Sequence, residues 1–112
     1  MVILGKVMKN SLTKGSVRYL VFKEDGVWYA VGLEFNIVEA GESPEAVLMS
    51  LFEAMNGYVI SARKAKIKNV LNQEPAPEYE KMWQMANRER PFKQSRTMPT
   101  VFTFGQTALV AV

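Results

Sequence analysis

The spacing of apolar and polar positions changes period along the chain. From Ser16 to Glu24 the residues alternate, with Val17, Tyr19, Val21 and Lys23 on one side and Arg18, Leu20 and Phe22 on the other. Alternation with period two marks a strand, and apolar residues on both sides mark one that is covered on both faces, hence a central strand. Asp25-Gly26 then predicts a two-residue hairpin, because a type I′ turn needs positive φ at both central positions. Val27 to Glu34, rich in aromatic and β-branched residues, is the returning strand. Asn36 ends it, and Ile37 to Ala40 forms a third short strand before Gly41. Upstream, Val2 to Met8 reads as an edge strand and Asn10 to Gly15 as a polar loop.

After Gly41 the period becomes helical. Ser43 suits the N-cap, since its hydroxyl accepts a free amide hydrogen; Pro44 at the first helical position wastes no donor, and Glu45 favours the positive helix end. Val47, Leu48, Leu51, Phe52, Met55, Tyr58 and Val59 then recur at three and four residues, a stripe that covers one face of a sheet. This helix is expected to fray beyond Lys68. Gly57 within it costs about 1 kcal/mol relative to alanine, which predicts close packing or a bend there. Asn72 to Pro77 reads as a linker, stiffened by Pro75-Ala76-Pro77. A second helix is expected from Glu78 to about Glu89, with Tyr79, Met82, Trp83 and Ala86 on one stripe, stopped by Arg90-Pro91. Thr100 to Phe104 and Thr107 to Val112 are two further strand-like runs divided by Gly105, and such an apolar end should complete the sheet or join that of a neighbouring subunit.

These elements define one α+β domain over residues 1–112: a small two-layer unit with a β-hairpin and third strand, a long helix packed on the sheet, a second helix and C-terminal β-strands. The chain length, 112 residues, allows one core and makes two thin. Methionines 49, 55, 82 and 85 read as adaptable core filling. No window reaches the roughly 18 apolar residues of a membrane span, and the start lacks a signal-peptide pattern, so a cytoplasmic location is expected.

Composition removes whole classes of chemistry. The chain has no histidine and no cysteine, which excludes a Ser-His-Asp triad, an imidazole proton shuttle, a thiol nucleophile, a disulfide, a zinc finger and an iron–sulfur cluster. The net charge of +3 is unevenly placed: residues 1–60 hold five basic and seven acidic side chains, residues 61–112 nine basic and four acidic. Arg63, Lys64, Lys66 and Lys68 form one basic group, and Arg88, Arg90, Lys93 and Arg96 a second. Such a surface suits phosphate or an acidic partner; the competing reading is a solvated helix end.

Residues 18–62 resemble the N-terminal domain of HicB-type antitoxins. The resemblance lies in the hairpin Arg18-Tyr-Leu-Val-Phe-Lys-Glu-Asp-Gly26, the strand Trp28-Tyr-Ala-Val-Gly32, the segment Leu33-Glu-Phe-Asn-Ile-Val38 and the helix entry Gly41-Glu-Ser-Pro-Glu-Ala46. It implies a β-β-β-α-β domain similar to a degraded ribonuclease H fold, with a recognisable core over about 16–72 and no nuclease activity. It implies as partner a HicA-type mRNA endonuclease toxin, which is bound and inhibited. The family's frequent C-terminal helix-turn-helix or ribbon-helix-helix is not recognisable after residue 72, where a helix and β-tail occupy 78–112. Binding to DNA is therefore expected to be weak and salt-sensitive at most. Asn36 and Glu39-Ala40 also replace the commoner family types.

A ribonuclease-H-like outline invites a test for metal. Two-metal hydrolysis needs several carboxylates converging on hard cations, and the candidates are Asp25, Glu34, Glu39 and Glu42. Asp25 is explained by its turn and Glu42 by the helix entry, leaving too few; no catalytic residue, metal or cofactor is expected. For partner binding the candidates are Trp28, Glu34, Phe35, Glu39 and Glu42, because acidic groups speed encounter with a basic toxin and aromatic anchors supply affinity. The competing reading packs Trp28 and Phe35 under the helix or against the terminal strands. The alternative function is a homo-oligomeric scaffold that binds nucleic acid weakly through Arg63, Lys64, Lys66 and Lys68, and homo-oligomerisation is expected in either case.

Overall fold

A computed structural model describes residues 10–67, 69–88 and 100–108. Four antiparallel strands form one sheet in the order β3-β2-β1-β4: β1 (Ser16–Glu24), β2 (Val27–Gly32), β3 (Ile37–Gly41) and β4 (Thr100–Ala108). Helices α1 (Pro44–Ala65) and α2 (Pro77–Arg88) lie between β3 and β4 in the chain. The two-sided alternation of β1 has its expected consequence, since β1 sits inside the sheet between β2 and β4. Val17 and Val21 join Ala30 under the α1 residues Val47, Leu51, Met55, Val59 and Ala62. Leu20 and Phe22 join Val31 and Leu33 under Met82 of α2 on the opposite face. Leu20, Leu33, Leu51 and Leu71 are fully buried, and each such side chain stabilises the fold by roughly 1.5–3 kcal/mol.

Local chemistry sets the element ends. Asp25 and Gly26 have φ of 52° and 80°, as the hairpin requires, and the register closes on Glu24 opposite Val27. Ser43 caps α1 by accepting the Ala46 N–H at 3.2 Å. The other end of α1 departs from expectation. Instead of fraying beyond Lys68, the helix stops at Ala65 because Lys66 adopts a left-handed conformation, φ 59°. The Lys66 N–H then reaches Arg63 O, and the Ile67 N–H reaches Ala62 O at 3.0 Å, a closure usually made by glycine.

The returning strand is also shorter than expected. It ends at Gly32, and Leu33–Phe35 form a 3-10 turn closed by left-handed Asn36, so Glu34 lies on a turn and not in a strand. Gly57 faces open space, so close packing does not explain it. The two terminal strand runs are one: β4 continues through Gly105 and pairs with β1 from Lys23 opposite Thr100 to Ser16 opposite Ala108, with a bulge between Val21 and Phe22. Gly105 leaves room for the Tyr19 ring: a Cβ there would lie 2.8 Å from the Tyr19 hydroxyl and 3.0 Å from its Cζ, so the ring would have to shift. The terminal run thus completes this chain's own sheet as far as Ala108. The Val2 to Met8 strand, the Arg90-Pro91 stop and Leu109 to Val112 lie outside the described residues.

The helices cover diagonally opposite parts of the sheet. α1 lies mainly over β2 and β3, and α2 packs on β1 and β4 from the other side. On the α1 side this leaves Phe102 of β4 half-exposed, beside Trp28. On the α2 side it leaves Val38 of β3 exposed.

Candidate functional site

One charged centre of the described residues is a site that no single stretch of sequence announces. Arg18 projects from the α2 side of β1, where alternation places it beside Leu20 and Phe22. Its Nε donates to Glu34 Oε2 at 2.7 Å, while its two terminal nitrogens donate to both oxygens of Glu80 at 2.8 and 2.6 Å. The Arg18 main-chain N–H adds a bond to Glu34 Oε1 at 2.9 Å. Above this fork the Trp83 ring centroid lies 5.0 Å from the guanidinium carbon, a cation–π distance. The Glu80 hydrogen bond foremost, and then Glu34, raise the Arg18 pKa against the opposing effect of burial. The guanidinium therefore stays charged at any working pH and clasps the 3-10 turn and α2 to the central strand.

A second network holds the linker. Gln73 N–H donates to Glu34 O at 2.9 Å, and its side-chain amide donates to Phe35 O and to the Tyr58 hydroxyl. Asn36 donates to Glu74 O at 3.0 Å and accepts from Ala76 N–H at 3.2 Å. An open groove of about 740 Å³ lies along this seam, walled by Asn36, Glu74, Glu80, Lys81 and the prolines of the linker. Glu80 on its wall is already bonded to Arg18.

The five residues singled out for partner binding separate into two groups. Glu34 is held by Arg18, and Phe35 is buried against Tyr58 with ring centroids 4.8 Å apart, as the packing reading has it. Trp28 is half-buried in β2, edge-on to Phe102 at 5.6 Å and with Lys23 Nζ 5.5 Å from its ring. It stands opposite Gly41, and Glu39 stands opposite Ala30, so Trp28 and Glu39 share the α1 side of the β2–β3 pair. Glu39 is half-buried, and Glu42 just beyond the strand is exposed, as is Glu45 in the first turn of α1. Trp28, Glu39 and Glu42 thus occupy one end of the sheet, beside the N-terminus of α1.

The described basic candidates Arg63, Lys64 and Lys66 sit at the C-terminal end of α1. Arg63 donates from Nε to the carbonyl of Leu12. Lys64 and Lys66 are exposed at the C-terminal end of α1, where positive charge is favourable next to unpaired carbonyls. Lys68 lies outside the described residues, as do Arg90, Lys93 and Arg96. Among the described residues no three acidic side chains are grouped to hold a metal ion, and no helix is long and apolar enough to cross a membrane.

No family model, curated protein or solved structure matches the chain. The geometry therefore offers two kinds of site: an internal clasp centred on Arg18, and an external surface of acidic and aromatic residues at the β2–β3 end. Sequence reasoning missed the clasp because Arg18 and Glu80 are 62 residues apart. The available signal was Arg18 itself, a charge on an otherwise apolar face of a central strand, where burial demands a partner.

Proposed function

We propose that this protein is a non-enzymatic, HicB-like interaction module that binds a HicA-type mRNA endonuclease toxin and inhibits it. The observation that carries this reading is the element order: three antiparallel strands, a long helix on one face, and a last strand that returns to pair with β1. That is the β-β-β-α-β plan implied by residues 18–62, with α2 inserted before the final strand. The second support is the surface formed by Trp28, Glu39 and Glu42, where acidic groups meet a partly exposed aromatic ring. Such a surface suits a basic RNA-binding protein: carboxylates at the rim speed encounter, and the indole supplies an anchor.

Inhibition in this reading is steric. The antitoxin covers the toxin's catalytic groups and contributes none, which accords with a chain that has neither histidine nor cysteine. Nucleic-acid binding through the second half has less support, because Arg63 is engaged with a main-chain carbonyl and the exposed lysines cap a helix. Co-expression with a HicA-type toxin tests the proposal. The expected outcome is a co-purifying complex and relief of growth arrest, and Glu39→Lys/Glu42→Lys should weaken that complex without lowering the melting temperature. Absence of both complex and rescue would sink the reading.

A further inference from the structure

We infer that the outer edge of β3 receives an extended strand of a partner protein, which sets basic side chains beside Glu39 and apolar ones against Val38 and Ala40. The inference deepens the proposed partner surface and rests on that reading for the partner's identity. β3 stands at the end of the sheet order, and among the described residues Ile37–Gly41 have main-chain ladder partners in β2 alone. The direction of the open groups follows from the hairpin. A two-residue turn closes on a hydrogen-bonded pair, here Glu24 and Val27. Bonded and non-bonded pairs then alternate along an antiparallel ladder, so Trp28, Ala30 and Gly32 turn their main-chain groups toward β3, opposite Gly41, Glu39 and Ile37. Val38 and Ala40 are left with N–H and C=O pointing outward, and their side chains are exposed as well.

The occupant follows from the chemistry of the two faces. On one side α2 packs on β1 and β4, which leaves Val38 43% and Val27 36% exposed, with Ala40 opposite Tyr29 between them. An added strand with apolar side chains at every second position would continue this surface. On the α1 side stand Glu39, then Glu42 just beyond the strand and Glu45 in the first turn of α1. Glu42 and Glu45 outweigh the roughly half-unit positive charge of the helix N-terminus, and Lys23, two strands in from the edge, lies over the Trp28 ring at 5.5 Å. Opposite charges on neighbouring strands attract and like ones repel, so the intervening positions of the added strand are basic. A second copy of this chain is disfavoured, because a two-fold axis would set Glu39 and its surroundings against themselves. The carboxylates select the occupant, and the open main-chain groups hold it.

Hydrogen exchange read residue by residue by NMR tests this, first on the chain alone and then with a peptide that alternates valine with lysine. In the free chain the amides of Val38 and Ala40 should exchange fast, while that of Glu39, turned into the β2 ladder, is protected. The peptide should slow exchange at Val38 and Ala40, and a counterpart alternating valine with glutamate should not. Ala40→Pro removes an outward N–H and no β2 bond, so it should abolish peptide binding while far-UV circular dichroism is kept. Glu39→Lys should weaken peptide binding about tenfold. Three results would overturn the inference: Val38 and Ala40 protected in the free chain, which would mean that the chain itself covers the edge; no added protection at millimolar peptide; or equal binding of the acidic peptide. A HicA-type toxin separates this inference from the reading it rests on. Binding and inhibition that survive Ala40→Pro would refute the β3 edge and leave the proposed function standing, whereas peptide protection without toxin binding would refute that function and leave the edge.

Discussion

Replacing Arg18 by methionine removes the charge of the central clasp while keeping an apolar stem of similar length. The arginine side chain makes three hydrogen bonds to carboxylates, one to Glu34 and two to Glu80. A hydrogen bond to a charged group contributes roughly 1.5–3 kcal/mol where water is excluded, and the Arg18 and Glu34 side chains are 16% and 20% exposed. The Glu80 side chain is 34% exposed, so its share falls toward the roughly 0.2–1 kcal/mol of a surface pair. Methionine still packs against Trp83, and Glu34 keeps the Arg18 main-chain N–H. The expected loss is about 2–3 kcal/mol, most of it from leaving Glu34 half-buried without its counter-charge. For a domain of this size that is a drop in Tm of about 10 °C. Urea titration and calorimetry measure it, and Arg18→Met/Glu34→Gln should recover part of the loss because the orphaned charge is gone. A single-variant loss below about 0.5 kcal/mol, the level of an exposed ion pair, would refute the reasoning.

Three other perturbations probe separate features. Gly15→Ala should destabilise by at least about 3 kcal/mol, read by urea titration, because Gly15 has φ +149° and a Cβ there would lie 1.9 Å from Asn10 Oδ1 and 2.9 Å from the Asn10 main chain. Gly57→Ala should stabilise by about 0.5–1 kcal/mol, since the position lies within α1 and an added methyl meets nothing within 4 Å; a lower melting temperature would contradict this. Burial foremost, and then Glu78, raise the Tyr79 pKa above the ordinary value of 10.0. The unfolded tyrosine ionises first, so this contribution is complete below about pH 10 and is lost as pH rises through the higher folded value. Tyr79→Phe should flatten the decline in Tm above pH 10, and an unchanged slope would count against the argument.

What could be read from the sequence was what short-range chemistry decides. The Asp25-Gly26 turn, the Ser43-Pro44 helix entry, the α1 and α2 stripes and the two-sided β1 each follow from residues a few positions apart. The helix end escaped because it is made by a left-handed residue that is not glycine, Lys66, and the strand end was misplaced because Leu33–Phe35 form a 3-10 turn ahead of Asn36. Gly105 read as a break because the reason for it, the ring of Tyr19, belongs to a different strand. Asn10, read as the start of a polar loop, is 2% exposed. It exchanges bonds with Asn72 and donates to Leu71 O at 2.7 Å, and that pairing spans 62 residues. The candidate surface was legible in part. Residue type pointed to five side chains, but only packing could show that Phe35 belongs to the core and Glu34 to the Arg18 clasp, leaving Trp28, Glu39 and Glu42 at the sheet end.

The proposed inhibition of a toxin by a surface that does no chemistry itself is measured most directly by cleavage of a labelled RNA by a HicA-type endonuclease, titrated with this chain. Cleavage should fall to zero at a fixed stoichiometric ratio, the chain alone should leave the RNA intact, and Trp28→Ala should raise the amount of chain required. Cleavage that continues undiminished at saturating concentrations of the folded chain would contradict it.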